Sequence, residues 1–389
     1  MITKSQQVML DALKTLFGYS PSFPEDTDWN EVINEAKVQT VYGLISSVIP
    51  VIDETIEQGK AAFMRIIFEQ ERIQRLFDSA GIPFVILKGA AAAVYYPKPY
   101  LRTMGDIDIL VPRKRFKEAA SLLESVGYSF VKDKENYQKQ EIRHVEYIQN
   151  GVEIELHHHF SWKEIDIDDV LEAAIDRRVY FELYGYRFPM LPLVENGLVL
   201  LCHLNHNINE GELGLRHIID WAMYVHYAIN DETWYKSFGE LAKQYDVLKL
   251  ANYVTKMCND YIGLPDSLTG NYEVDVSLSD ELINIVLNDG NFGIKLASNN
   301  SIEERRVLGT IYDIKNYGLI KFLIIVGEKK WKYGKKKTLH KPFALIYGFH
   351  FTLVSGVKAI FKKSKISRQV KEGKRRYELF KKLGVRFTK

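Results

Sequence analysis

The segment from Val85 to Val111, VILKGAAAAVYYPKPYLRTMGDIDILV, constrains this chain more than any other. It reads as a short buried strand over Phe84 to Lys88, a turn at Gly89 and a helix from Ala90 to Tyr96 closed by Pro97 and Pro99. A loop and a second strand bearing Asp106 and Asp108 follow. Side chains alternate along a strand, so both carboxylates share one face while Ile107, Ile109 and Val111 take the other. Like charges this close repel unless a cation lies between them. Hard oxygen donors suit Mg²⁺ (or Mn²⁺), and Mg²⁺ is usually held by one or two carboxylates plus the phosphates of a substrate. Gly89 is expected to supply the tight turn that lets backbone amides meet a phosphate, with the helix start at Ala90 and the charge of Lys88 beside it. Arg102, in the loop just before Asp106, could steady a phosphate or pair with the carboxylates.

A second informative stretch is IRHVEYIQNGVEIELHHHF, from Ile142 to Phe160. Asn150-Gly151 between two alternating runs signals a hairpin, because both residues tolerate the positive φ of a type I′ turn. In that register Val152, Ile154 and Leu156 face a core, and Glu153, Glu155 and His157 share the opposite face. The hairpin therefore offers two candidates, Glu155 and Glu153, for a further carboxylate, and His157 could orient one or touch substrate. His158 and His159 are read as structural; consecutive strand residues point to opposite faces, so the three histidines do not converge on zinc.

Leu87-Lys88-Gly89, Tyr96-Pro97, Arg102 and Asp106-Ile107-Asp108-Ile109-Leu110-Val111 together resemble the nucleotidyltransferase superfamily built on the DNA polymerase β palm. More narrowly, the chain is similar, over about Trp29 to Trp221, to the bacterial branch of uncharacterised nucleotidyltransferase family proteins often found with cell-surface polysaccharide genes. The resemblance implies an α+β fold, with a small mixed sheet as palm and helical regions flanking it. It implies that Asp106, Asp108 and Glu155 bind Mg²⁺ and act in catalysis, Glu155 being preferred over Glu153 because it lies two positions before His157. Ala90 replaces the serine of the superfamily's Gly-Ser pair, which leaves phosphate binding to Lys88, Gly89 and the backbone at Ala90. In relatives a histidine on one helix, and a basic residue four positions before an aspartate on the next, border the nucleotide pocket; here these are His203, Arg216 and Asp220. The implied reaction moves a nucleoside monophosphate from an NTP, ATP first, to an unknown hydroxyl acceptor. Alternatives are kinase-like phosphoryl transfer, a toxin-like enzyme modifying RNA or protein, and a non-catalytic membrane-surface protein.

Helical patterns frame this core. Residues 1–80 read as helices, one capped by Asp28 and running to Val48, another from Asp53 to Ala80. Residues 81–190 read as the nucleotidyltransferase core, 191–320 as a C-terminal helical domain, and Asp289 to Ser301 as an exposed loop. Cys202 and Cys258 sit in apolar helical contexts without disulfide or metal spacing, and the N-terminus lacks a signal-peptide pattern; a cytoplasmic location is expected. A net charge of +2 hides an asymmetry: residues 321–389 carry 21 Lys/Arg against 3 Asp/Glu, or +18, and the first 320 carry 31 against 47, or −16. The apolar run from Phe343 to Phe361, flanked by lysines, reads as part of a basic amphipathic tail. An anionic membrane surface is favoured over nucleic acid as its partner, and packing of the basic face on the acidic body of the same protein or of a neighbouring subunit is the equally weighted alternative.

Overall fold

The computed structural model describes residues 2–50, 55–131, 143–265, 274–295, 310, 314–315, 318–335, 341–360 and 363–387. The polar stretch 132–141, expected to be a loop, lies outside them. The fold is α+β. Helix α1 (Lys4–Leu13) starts at a capping box between Thr3 and Gln6, and α2 (Trp29–Val38) starts where the Asp28 carboxylate accepts the Asn30 and Glu31 N–H groups. The expectation that α2 runs to Val48 fails. Thr40 turns left-handed (φ 57°), and the fully buried Gln39 side chain donates to the Val286 carbonyl (3.1 Å) and accepts from Leu215 N–H (3.2 Å). Among the described residues, the short α3 (Tyr42–Ile45) follows before α4 (Thr55–Ser79).

The centre is a seven-stranded mixed sheet. In chain order come β1 (Val85–Leu87), α5 (Gly89–Ala93), β2 (Asp106–Leu110), α6 (Phe116–Ser125), β3 (Ser129–Phe130), β4 (His144–Gln149), β5 (Val152–His157), α7 (Asp168–Ile175), β6 (Val179–Leu183) and β7 (Tyr186–Met190). Their spatial order is β3-β4-β5-β2-β1-β7-β6, with β2/β5 and β1/β7 parallel and the other pairs antiparallel. The β4–β5 turn is at Asn150 (φ 53°) and Gly151 (φ 74°), as the sequence requires. Tyr184 (φ 53°) and Gly185 (φ 82°) make a second such turn, joining β6 to β7.

Strand alternation separates two cores. Ile86, Ile107, Ile109 and Ile154 pack with Phe63, Ile67 and Phe77 of α4 and with Phe116 and Ala120 of α6. On the other side Val85, Leu87 and Leu110 join a larger core made with α1 and α2 and with α8 (Leu193–Glu210), α9 (Leu215–Ala228), α10 (Gly239–Gln244), α11 (Leu248–Ile262) and α12 (Val276–Asp289). Asp106 and Asp108 share the face of Leu110, so they point toward α8 and α9.

Past α12, the segment read as an exposed loop is mixed in its described part: Asp289 and Asn291 are buried, Phe292 and Ile294 are exposed, and residues 296–301 lie outside the described set. The basic region divides in two. Helices α13 (Leu319–Lys335) and α14 (Lys341–Ile360) pair closely, since a Cβ on Gly327 would overlap the Ala344 carbonyl and one on Gly348 the Leu323 carbonyl. Helix α15 (Lys363–Lys382) and the residues after it dock on the body: Leu379, Phe380, Leu383 and Val385 enter the larger core. Arg376 pairs with Asp289, Arg375 with Glu281, and Arg386 with Asp246. For this last part of the tail, the reading in which a basic face packs on the acidic body holds, and the whole of 321–389 is therefore not one amphipathic surface element. Among the described residues no helix is long and apolar enough to cross a membrane.

Candidate active site

Parallel pairing of β2 with β5 sets Asp106 opposite Glu153 and Asp108 opposite Glu155. One carboxylate oxygen from each of Asp106, Asp108 and Glu155 lies within 4.8 Å of the others. Glu153, exposed on the same strand, stands outside that cluster. Repulsion from Asp108, helped by burial, pushes the Asp106 carboxyl up to about 6. Burial alone would also raise Asp108, but Lys88 Nζ at 2.6 Å and His157 Nε2 at 3.0 Å hold it well below the carboxylate range. A concentration of negative charge that needs cations, offered by three oxygen donors, fits Mg²⁺. Asp106, Asp108 and Glu155 are the residues that would hold it.

His157 is almost fully buried and bridges the two strands, with Nε2 3.0 Å from Asp108 Oδ1 and 3.2 Å from Glu155 Oε2. Burial disfavours its charged form, but the two carboxylates outweigh this and raise its pKa. The ring therefore fixes the relative position of two of the three acids. His144 adds an imidazole with Nε2 3.8 Å from Glu155. His159 binds Asp168 at 2.7 Å, and the same carboxylate accepts the N–H groups of Phe160 and Ser161, so this histidine secures a turn.

Lys88 departs from expectation in its backbone. The left-handed residue of the turn is Lys88 itself (φ 46°, ψ −124°), while Gly89 already opens α5. A non-glycine residue there stores strain, which persists only where the surroundings over-determine it. Here β1 and α5 hold the backbone, and the Asp108 ion pair and the face of Phe160, 5.7 Å from Nζ, hold the side chain. Gly89 and Ala90 are buried in the first turn of α5, whose leading N–H groups have no intrahelical partner.

Arg102 directs its hydrogen bonds away from Asp106 and Asp108, although the charge of Asp106 still acts on it. Its guanidinium donates from Nε and Nη2 to the two oxygens of Asp220, each at 2.7 Å, and Tyr96 donates to the same carboxylate at 2.7 Å. Arg216, one turn before Asp220 on α9, acts on the same carboxylate through its charge. Arg216 lies over Phe292, 5.2 Å from the ring centre, with its Nε buried and without a hydrogen-bond partner. Its charge still reaches Asp106, whose carboxyl it stabilises. His203 stacks on Trp162 (5.7 Å, 14°) and meets His217 edge-on at 5.2 Å; burial, then Lys88, keep it neutral. Reading the sequence singled out neither Trp162, Phe160 nor Phe292 as part of this wall. Only the Tyr184-Gly185 turn that extends the sheet beside β1 carried a recognisable local signal.

Residues 25–263 match the family model described as uncharacterised nucleotidyltransferase. The crystal structure of an antigenic nucleotidyltransferase-like protein from Paracoccidioides brasiliensis matches with 16% identity and a TM-score of 0.34, over 54% of this chain and 94% of that one. None of the curated proteins matches the chain.

Proposed function

Because this chain belongs to the uncharacterised nucleotidyltransferase family, we propose that it transfers a nucleoside monophosphate from an NTP, ATP in the first instance, to a hydroxyl acceptor and releases pyrophosphate. The observation that carries this reading is the meeting of Asp106, Asp108 and Glu155, from two parallel strands, within 4.8 Å. Mg²⁺ (or Mn²⁺) bound there would neutralise charge on the entering and leaving oxygens of an in-line displacement. In this scheme the sheet is the palm of a polymerase β-like enzyme, flanked by helical regions.

Each residue then has a task. Lys88 Nζ and the first N–H groups of α5, at Gly89 and Ala90, hold the outer phosphates. Arg216 faces charge that develops as pyrophosphate leaves, and His203 closes the wall beside it. Glu155, held by His157, takes the proton of the acceptor hydroxyl. Arg102 and Asp220, locked to each other, are positioning residues that fix the loop before Asp106. The acceptor is assigned to cell-surface polysaccharide assembly on the resemblance alone. We also place the protein in the cytoplasm, with the basic hairpin α13–α14 meeting an anionic membrane surface.

The test incubates the full chain with Mg²⁺, a bacterial metabolite extract and ATP labelled at the α phosphorus. Label should enter a new product, and Asp106→Asn with Asp108→Asn should lower the rate by at least about 10²-fold, the scale of losing one preorganised electrostatic element. In a parallel reaction with ATP labelled at the γ phosphorus, label entering the acceptor, with none entering from α-labelled ATP, would replace this reading with phosphoryl transfer.

A further inference from the structure

Beside the catalytic carboxylates, Phe292 sits in a cluster with Arg216, Asn291 and His217, of which the transferase chemistry uses only Arg216. Phe292 is 50% exposed and holds a left-handed backbone (φ 53°, ψ 22°). Its N–H donates to the Glu212 carbonyl at 3.1 Å, which fixes the ring in place. Arg216 lies against the ring at 5.2 Å and His217 meets it edge-on at 6.3 Å. Both neighbours adjoin the site: Arg216 acts on Asp106, and His217 contacts His203.

Around the ring stand buried polar atoms without a hydrogen-bond partner among the described residues. Asn291 is 2% exposed, yet neither its amide oxygen nor its amide nitrogen has a hydrogen-bond partner. His217 accepts the Gly214 N–H on Nδ1 at 3.2 Å, so the neutral ring carries its proton on Nε2, which is also buried without a partner. The Nε of Arg216 is a third such group. Buried donors and acceptors are nearly always paired, so three orphaned side chains around one half-exposed aromatic ring call for a ligand. Close packing keeps them there, since Gly214 has no room for a Cβ against Asn291.

We propose that Phe292, Asn291 and His217 bind the nucleobase of the NTP. An aromatic face accepts any base by stacking, and a guanidinium on its far side strengthens the stack. An amide with one donor and one acceptor matches a base edge that offers the complementary pair, and the imidazole N–H adds a further donor. Asn291 and Phe292 lie outside the residues matched by the family while His217 and Arg216 lie within them, so the subsite joins the matched region to the chain that follows it. The proposal rests on the transferase reading, which supplies the triphosphate next to it.

Calorimetry of the full chain with Mg²⁺ compares α,β-methylene analogues of the four NTPs with inorganic tripolyphosphate. The best nucleotide should bind at least tenfold more tightly than tripolyphosphate. Phe292→Ala should erase that margin without changing tripolyphosphate affinity, Phe292→Trp should restore it, and Asn291→Ala should alter the ranking of the four bases. A margin that survives Phe292→Ala overturns the subsite and leaves the transferase reading standing. Wild-type protein that binds neither nucleotide nor tripolyphosphate overturns both.

Discussion

Lys88, Arg102 and His217 show how far a residue's neighbours decide its role. Lys88 reads from sequence as a phosphate contact, whereas in the fold its amine pairs with Asp108, and its left-handed backbone follows from the packing of β1 and α5. Arg102 could be placed near Asp106 from the loop length; its bidentate partner Asp220 lies 118 residues away and could not be read from local pattern. For His217, burial and then Arg216 pull the pKa down to about 3. Between an ordinary value near 6.5 and this depressed one, the unfolded chain binds a proton that the folded chain refuses. The resulting stability is complete above about pH 6.5 and is lost as pH falls, by roughly 1.4 kcal/mol per pH unit for one such group. His217→Gln should flatten the fall of thermal stability between pH 6.5 and 4.5. An unchanged slope in calorimetric melts would contradict the buried neutral ring.

Secondary elements differed in how plainly the sequence announced them. The β4–β5 hairpin followed from Asn150-Gly151 and strand alternation, both local properties of the backbone. The β6–β7 hairpin carried an equivalent turn at Tyr184-Gly185, a weaker residue pair for that conformation, and passed without notice. Helices α13 and α14 carry their own signal in glycines placed for contact and in Phe343, Ile346 and Phe349, each more than half exposed. Exposed aromatic and aliphatic side chains beside lysines suit an anionic bilayer, where each basic residue near the surface contributes about 1 kcal/mol. The full chain should sediment with vesicles containing phosphatidylglycerol, not with phosphatidylcholine alone, and high salt should release it. Replacing Phe343, Ile346 and Phe349 by serine should weaken this binding at least about tenfold, for loss of apolar burial. Equal partition onto both kinds of vesicle would remove the membrane assignment.

At the scale of the molecule, the charge asymmetry has a partly internal explanation. Arg375, Arg376 and Arg386 meet Glu281, Asp289 and Asp246 across the contact between the C-terminal helix and the body. Arg376 and Asp289 are both buried, with Nη2 and Oδ1 2.9 Å apart. Removing one member of a buried ion pair leaves the charge of the other less compensated, at a cost of about 3–5 kcal/mol. Arg376→Met should therefore lower the melting temperature markedly, and adding Asp289→Leu should recover much of the loss. Independent, additive effects in that double-mutant cycle would show that the pair does not couple the helix to the body.

What the sequence determined alone was whatever repeats within a few residues: the alternation that sets Asp106 with Asp108 and Glu155 with His157, the turn at Asn150-Gly151, and the cap at Asp28. These follow from backbone geometry, which acts before any tertiary contact exists. Only the folded chain decided that β5 runs beside β2, that Arg102 closes on Asp220, and that Phe292 reaches Arg216. Such pairings join distant segments, and they are selected by which charges and apolar faces can be buried together, a property of the packed whole.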